Sequence, residues 1–199
     1  AVIPSSTSLD ELFPDLLVKY KEHLAVNLAT YDESMLPKHH RRNLRVANHD
    51  CVVRIGDPTI DADEWLALYD TLRERHAIEG RADLPDGALL AQTRANGATL
   101  FCADVDGRPA GMQLWLRSGR IAYYHLGACN ELGYAHRAAY ALMHAALTYY
   151  RELVPTAHLG SGAGVHEAGE GDGLVRFKSG WSNLSVDAYL AGLILDRAT

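Results

Sequence analysis

Cysteine is scarce in this 199-residue chain: Cys51, Cys102 and Cys129 are its three. They are far apart, odd in number and form no Cys-x-x-Cys, which argues against a disulfide scaffold and predicts reduced thiols and a cytoplasmic location. No apolar run approaches the roughly 20 residues that a membrane helix needs. Ala1-Val2-Ile3-Pro4 has neither a basic leader nor an apolar h-region, so no export signal is expected. Basic residues are also in deficit, 19 against 25 acidic, for a net charge of −6. That argues against a dedicated nucleic-acid coat but leaves room for a local basic patch.

Several chemical signatures are missing as well. Gly160-Ser161-Gly162-Ala163-Gly164 has no following Gly-Lys-Ser/Thr, so it is not a P-loop, and no dinucleotide fingerprint is present. No local motif makes Cys129 a nucleophile. Ten histidines suggest metal at first sight, but His136 and His144 are eight apart. There is no His-x-His or His-Glu-x-x-His, and no metal is expected. What the chain does have is apolar content: 48% hydrophobic residues suffice for one ordinary domain or two closely fused small halves.

Residues 1–50 read as a helical, connecting segment and 51–199 as the main domain. Ser8 and Glu11 have the spacing of a capping box, and Leu12, Leu16, Leu17, Tyr20 and Leu24 follow at helical spacing. A basic helix spans Lys38 to Arg45, with Leu36, His40, Asn43 and Leu44 on one face. Cys51 to Gly56 is a short strand. Asp61-x-x-Glu64 is a second capping signal, opening a helix that carries Trp65, Leu68, Tyr69, Leu72 and His76 and ends at Gly80. A shorter helix is predicted from Asp86 to Asn96, stopped by Gly97. The period then changes. Thr99–Val105 and Pro109–Leu116 flank Asp106-Gly107, the favoured hairpin turn, and a third strand covers Ile121–Gly127. A long helix from Tyr134 to Glu152 and a buried strand at Ala157-His158-Leu159 follow. Helix, hairpin, strand, long helix and strand make an α/β (α+β) order around one central sheet.

Leu68-Tyr69 through Gly80, Tyr123-Tyr124-His125-Leu126-Gly127-Ala128, and His158 to Gly162 with Asp172 to Ser182 form a set of three segments. Together, the third most specifically, they resemble the GNAT superfamily of acyltransferases, and more narrowly its Fem-like branch. The basic helix is similar to the segment joining the two halves of Fem-like proteins, so the resemblance covers roughly residues 36 to 195. It implies a mixed, mostly antiparallel sheet flanked by helices, and a companion GNAT-like half as a partner. It also implies a final strand over Ala188–Leu195, where spacing alone equally allows a helix.

The resemblance further implies an acyl-CoA co-substrate whose pyrophosphate meets a helix N-terminus. Asn130-Glu131-Leu132-Gly133-Tyr134-Ala135 keeps the glycine and alanine of the family pattern but has Asn130 for its first residue and a carboxylate at Glu131. Leu126, Gly127, Asn130, Gly133 and Ala135 are therefore the expected donor-binding residues. Arg176 stands where many GNAT enzymes carry a tyrosine acid. The Fem branch instead implies a transfer role for Phe177-Lys178, with the ammonium stabilising developing negative charge. Tyr124 and His125 alternate on the central strand, one as a carbonyl donor and the other as a base. Arg75, His76 and Ser161 would border an acceptor cleft for a small-molecule or peptide amine. The alternative donor is an aminoacyl-tRNA recognised by the Lys38–Arg45 helix, and a third reading is a non-catalytic binding module.

Overall fold

Turn chemistry sets the centre of the molecule. Asp106 and Gly107 take positive φ of 49° and 71°, joining β3 (Ala98–Val105) to β4 (Arg108–Ser118) with the twist such turns favour. Gly119, at φ 56°, leads into β5 (Ile121–Cys129). β2 (Cys51–Ile55) pairs antiparallel outside β3, completing a four-stranded meander. The computed structural model describes residues 8–79, 83–161 and 173–195.

Alternation along the strands divides the core into two layers. Leu100, Cys102, Met112 and Leu114 pack beneath α3 (Ala62–His76) and α4 (Asp86–Thr93), against Trp65, Leu68, Tyr69 and Leu89. Phe101, Val105 and Trp115 face the other way, toward Leu44 of α2 (Lys38–Asp50) and Leu142, Met143, Leu147 and Tyr150 of α6 (Ala138–Arg151). The face of α2 carrying His40 and Leu44 is buried, with Leu36 just before it, and its basic residues point outward.

Beyond β5 the sheet continues through β6 (Thr156–Gly160), β1 (Leu16–Asn27) and β7 (Leu184–Gly192), in the order β2-β3-β4-β5-β6-β1-β7. β5 and β6 are parallel and every other neighbouring pair is antiparallel. The sheet is mixed and mostly antiparallel, as the fold class required.

Five expectations need correction. The helical spacing of Leu12 to Leu24 holds only for α1 (Leu9–Leu12); Leu16 onward is strand β1, because pairing on both edges outweighs a local periodicity. Asp61 is no capping-box partner. Its buried carboxylate accepts two bonds from the Arg54 guanidinium, at 2.6 and 2.9 Å, and one from the Asp57 N–H at 2.7 Å, so charge pairing takes the group away from the helix end. Helix α3 stops at a left-handed Ala77; Gly80 lies outside the described residues. The long helix is interrupted: α5 (Glu131–Ala135) docks on β4, His136 Nδ1 meets the Asp50 carboxylate at 2.8 Å, and Arg137 turns at φ 62° before α6 begins. The final strand exists but is earlier than expected, and the helical alternative for it is overturned by its pairing with β1. Among the described residues no helix is long and apolar enough to cross a membrane.

Candidate active site

β5 and β6 share three rungs: Ile121 with Thr156, Ala122 with Ala157, and Tyr123 with His158. β5 then runs on to Cys129 and β6 ends at Gly160, so the strands part toward their carboxyl ends. Crevices at the carboxyl ends of parallel strands are the usual ligand sites of α/β sheets. A bulge shapes this one. Leu114 faces Leu126 and Trp115 faces Tyr124, leaving His125 as an extra residue. Ala122 and Tyr124 therefore pack toward α6, whereas Leu126 and Ala128 pack toward α3.

Lys178 reaches into this opening from α7 (Gly173–Ser179). Only 6% exposed, it donates from Nζ to the Ser161 carbonyl at 2.7 Å and lies 5.0 Å from the centroid of the Tyr124 ring. Lysine is seldom buried to that degree. Tyr124 is held edge-on to Trp115, ring centres 5.6 Å apart. A Cβ at Gly127 would overlap the Tyr124 hydroxyl, so Gly127 makes room for it. Burial pushes the Tyr124 phenol well above its usual range and keeps it a neutral O–H donor.

Helix α7 is fixed by an aromatic cluster. His40 of α2 stacks on Phe177, centroids 6.2 Å apart, and meets Tyr140 and Trp181 edge-on. Its Nε2 lies 2.9 Å from the Phe177 carbonyl, to which the N–H tautomer donates. A Cβ at Gly180 would overlap the imidazole. Sequence reasoning put His40 on the apolar face of the basic helix; it did not reveal that this face grips the helix carrying Phe177 and Lys178.

The remaining expected residues are distributed around this centre. His125 points to the opposite face, where its Nε2 meets Gln92 Oε1 at 3.0 Å, and burial lowers its pKa. Leu126 lies on that face too. Arg75 and His76 are exposed at the end of α3. The Arg75 guanidinium stacks 4.2 Å from the Tyr134 ring on α5. Asn130 caps α5, its Oδ1 accepting from the Gly133 N–H at 3.0 Å and its Nδ2 donating to the Pro109 carbonyl at 2.9 Å. A Cβ at Gly133 would overlap the Ala110 carbonyl oxygen. Packing of α5 on β4 thus accounts for both residues. Ala135 ends the helix. Ser161 contributes its carbonyl, and residues 162–172 lie outside the described set.

Two histidines escaped sequence reasoning. His23 on β1 and His158 on β6 are 135 positions apart, yet His23 Nδ1 and His158 Nε2 lie 3.3 Å from one another. No local pattern links them. The cysteines are unlike nucleophiles: burial pushes Cys51 up to about 11 and Cys102 and Cys129 up to about 12. Among the described residues, no group of three or more His, Cys, Asp or Glu side chains could hold a metal.

Residues 37–166 match the family model of the acetyltransferase (GNAT) domain. No curated protein matches the chain by sequence. The fold is similar to that of FemX, with a TM-score of 0.69 at 14% identity over 82% of this chain and 59% of that one. It is also similar to the C-terminal domain of a putative lysylphosphatidylglycerol synthetase from Agrobacterium fabrum, with a TM-score of 0.68 at 16% identity over 87% and 60%. L-PGS from Bacillus licheniformis gives 0.64 at 14% identity over 87% and 60%. At such identities the likeness is one of fold. The chain spans about three-fifths of the length of these structures.

Proposed function

The chain belongs to the acetyltransferase (GNAT) domain family, and from that premise we propose an N-acyltransferase that moves an acyl group from acyl-CoA to a small-molecule or peptide amine. The observation that carries this reading is the buried Lys178 ammonium against the ring of the neutral Tyr124, in the opening between β5 and β6. Attack by an amine on an acyl carbonyl puts negative charge on its oxygen. A preorganised ammonium and phenol in a poorly hydrated site stabilise that charge strongly.

The donor-side residues fit acyl-CoA in part. The Glu131 and Leu132 N–H groups in the first turn of α5, with Arg75 over Tyr134, would hold a pyrophosphate. The Glu131 carboxylate opposes it, and the Gly133 N–H is taken by Asn130. Along Leu126 and Gly127 the backbone of β5 has lost its β6 neighbour and can take a strand-like ligand. The donor supplies the activated carbonyl.

One observation favours an aminoacyl-tRNA donor instead. Lys38, Arg42 and Arg45 are exposed on α2 while His40 of the same helix grips α7, which ties a phosphate-attracting face to Lys178. The β1–β7 ribbon, with Val18 opposite Leu190 and both half exposed, is the surface a companion GNAT-like half would cover. Calorimetry with acetyl-CoA and with charged tRNA on one preparation decides between donors. Saturable acetyl-CoA binding weakened by Arg75→Ala supports the first reading. Binding of tRNA alone supports the second, and binding of neither leaves a non-catalytic module.

A further inference from the structure

We infer that His23 and His158 form a two-imidazole base that takes the proton an acceptor ammonium must lose before it can attack the acyl carbonyl. The inference rests on the acyltransfer reading above. His158 stands opposite Tyr123 on the last rung before β5 and β6 separate, at the root of the opening. Two residues further along β6, Gly160 turns at φ 72° and Ser161 presents its carbonyl to Lys178. The base is thus built into the strand that also holds the ammonium. His125, the extra residue of the β5 bulge, instead has its Nε2 engaged by Gln92.

The contact itself constrains protonation. The nitrogens lie 3.3 Å apart with the rings edge-on at 64°. One must carry hydrogen and the other a lone pair, so the pair holds at most one excess proton. Its surroundings keep that place empty at neutral pH. Lys21 on β1 and Lys178 on α7 are the cations whose fields act on it, and the Tyr123 ring of β5 packs 5.4 Å from His158. From β7, the residue opposite His23 is the uncharged Val186, and Glu22 points to the other face of β1. Burial first, then these cations and the neighbouring ring, lower both imidazoles below their ordinary value.

The balance of the step is simple. The ammonium gives one proton to the pair, and its nitrogen forms the new N–C bond as the C–S bond of a thioester, or the C–O bond of an ester, breaks. The second nitrogen proton leaves with the departing group as thiol or hydroxyl. The pair returns its proton to water, and its internal hydrogen bond lets that proton enter on one ring and depart from the other.

The test uses the full chain with acetyl-CoA, charged tRNA and a simple primary amine across pH 6 to 9.5. His158→Gln is expected to lose about 10²-fold of kcat/KM at pH 7. That loss should shrink toward pH 9.5, where the amine sheds its proton unaided. His23→Gln should behave likewise but more mildly, and acetyl-CoA binding should be unchanged in both. NMR of histidine-labelled wild type should show the two rings taking up one proton together, below the ordinary imidazole value. Independent titration at ordinary values would overturn the pair. So would transfer by both variants equal to wild type, or a loss of the same size at every pH, while the acyltransferase reading stood. No transfer by the wild type from either donor would overturn that reading, and the base assignment with it.

Discussion

The β2–β5 meander and the β1–β7 ribbon are parts of one sheet, yet they are covered very differently. In the meander, Leu114 and Trp115 are wholly buried, one beneath α3 and α4 and the other beneath α6. In the ribbon, Val18 is 51% and Leu190 is 56% exposed although they pair directly. One region is a two-sided core whose burial dominates the driving force for folding. The other is long, paired and thinly covered. The two meet through the three rungs between β5 and β6, and the candidate site lies where that short seam opens. The two-sided core lies on the meander side of the seam, with Val26, Ala157 and Leu159 carrying its α6 layer across, whereas Lys178, His23 and His158 come from elements on the other side.

The sharpest way to separate chemistry from stability is at the seam itself. Lys178→Met should lower acyl transfer by about 10² to 10³-fold. Its melting temperature should hold or rise, because a buried charge is exchanged for an apolar chain of similar size. Transfer assays and thermal unfolding on one sample check both halves. The regional contrast is tested directly by two truncations followed in urea. Leu114→Ala should cost about 2–5 kcal/mol, from lost burial and a cavity. Leu190→Ala should stay within about 0.5 kcal/mol. Equal costs would erase the distinction between meander and ribbon.

A smaller effect is expected where α7 is clamped. Gly180→Ala drives a methyl into the His40 ring, for an overpacking cost of about 1–3 kcal/mol. If α7 orients Lys178, transfer should fall further than a stability loss of that size explains, and donor binding should not. The gentlest prediction concerns acid. Burial lowers His23, His40, His144 and His158 in the folded state. Their contribution to stability is therefore full above the unfolded value of about 6.5 and is lost as pH falls through the folded values. Asp50 and Asp61 are held low by hydrogen bonds from His49 and His136 and from Arg54 respectively. Their contribution is lost only below about pH 4. Melting temperatures at pH 7.5, 6 and 5 should fall steadily, and a flat response would show that these imidazoles titrate as they do in the unfolded chain.

Much of the meander was legible because its signals are local. Asp106-Gly107 can hardly avoid a tight hairpin, and Trp65, Leu68 and Tyr69 are neighbours on any helix. The resemblance to the GNAT superfamily agrees with the family match over residues 37–166. The ribbon misled because Leu12 to Leu24 carries a helical spacing that only its partners β6 and β7 override. The split between α5 and α6 was hidden for the same reason: it depends on Gly133 meeting the Ala110 carbonyl and on His136 meeting Asp50.

The sequence alone determined the turns, the amphipathic faces of α2 and α3, the strand that carries Tyr124, and the Phe177-Lys178 pair with its family likeness. Each is set by residues within a few positions of one another, where backbone sterics and side-chain period act directly. Tertiary structure alone decided which of the ten histidines face one another, that His40 grips α7, and that Lys178 is buried beside Tyr124. The reason is physical. Burial, hydrogen-bond partners and neighbouring charge determine what a titratable side chain can do, and in this protein those neighbours come from strands and helices far apart in the chain, by 135 positions for His23 and His158 and 137 for His40 and Phe177.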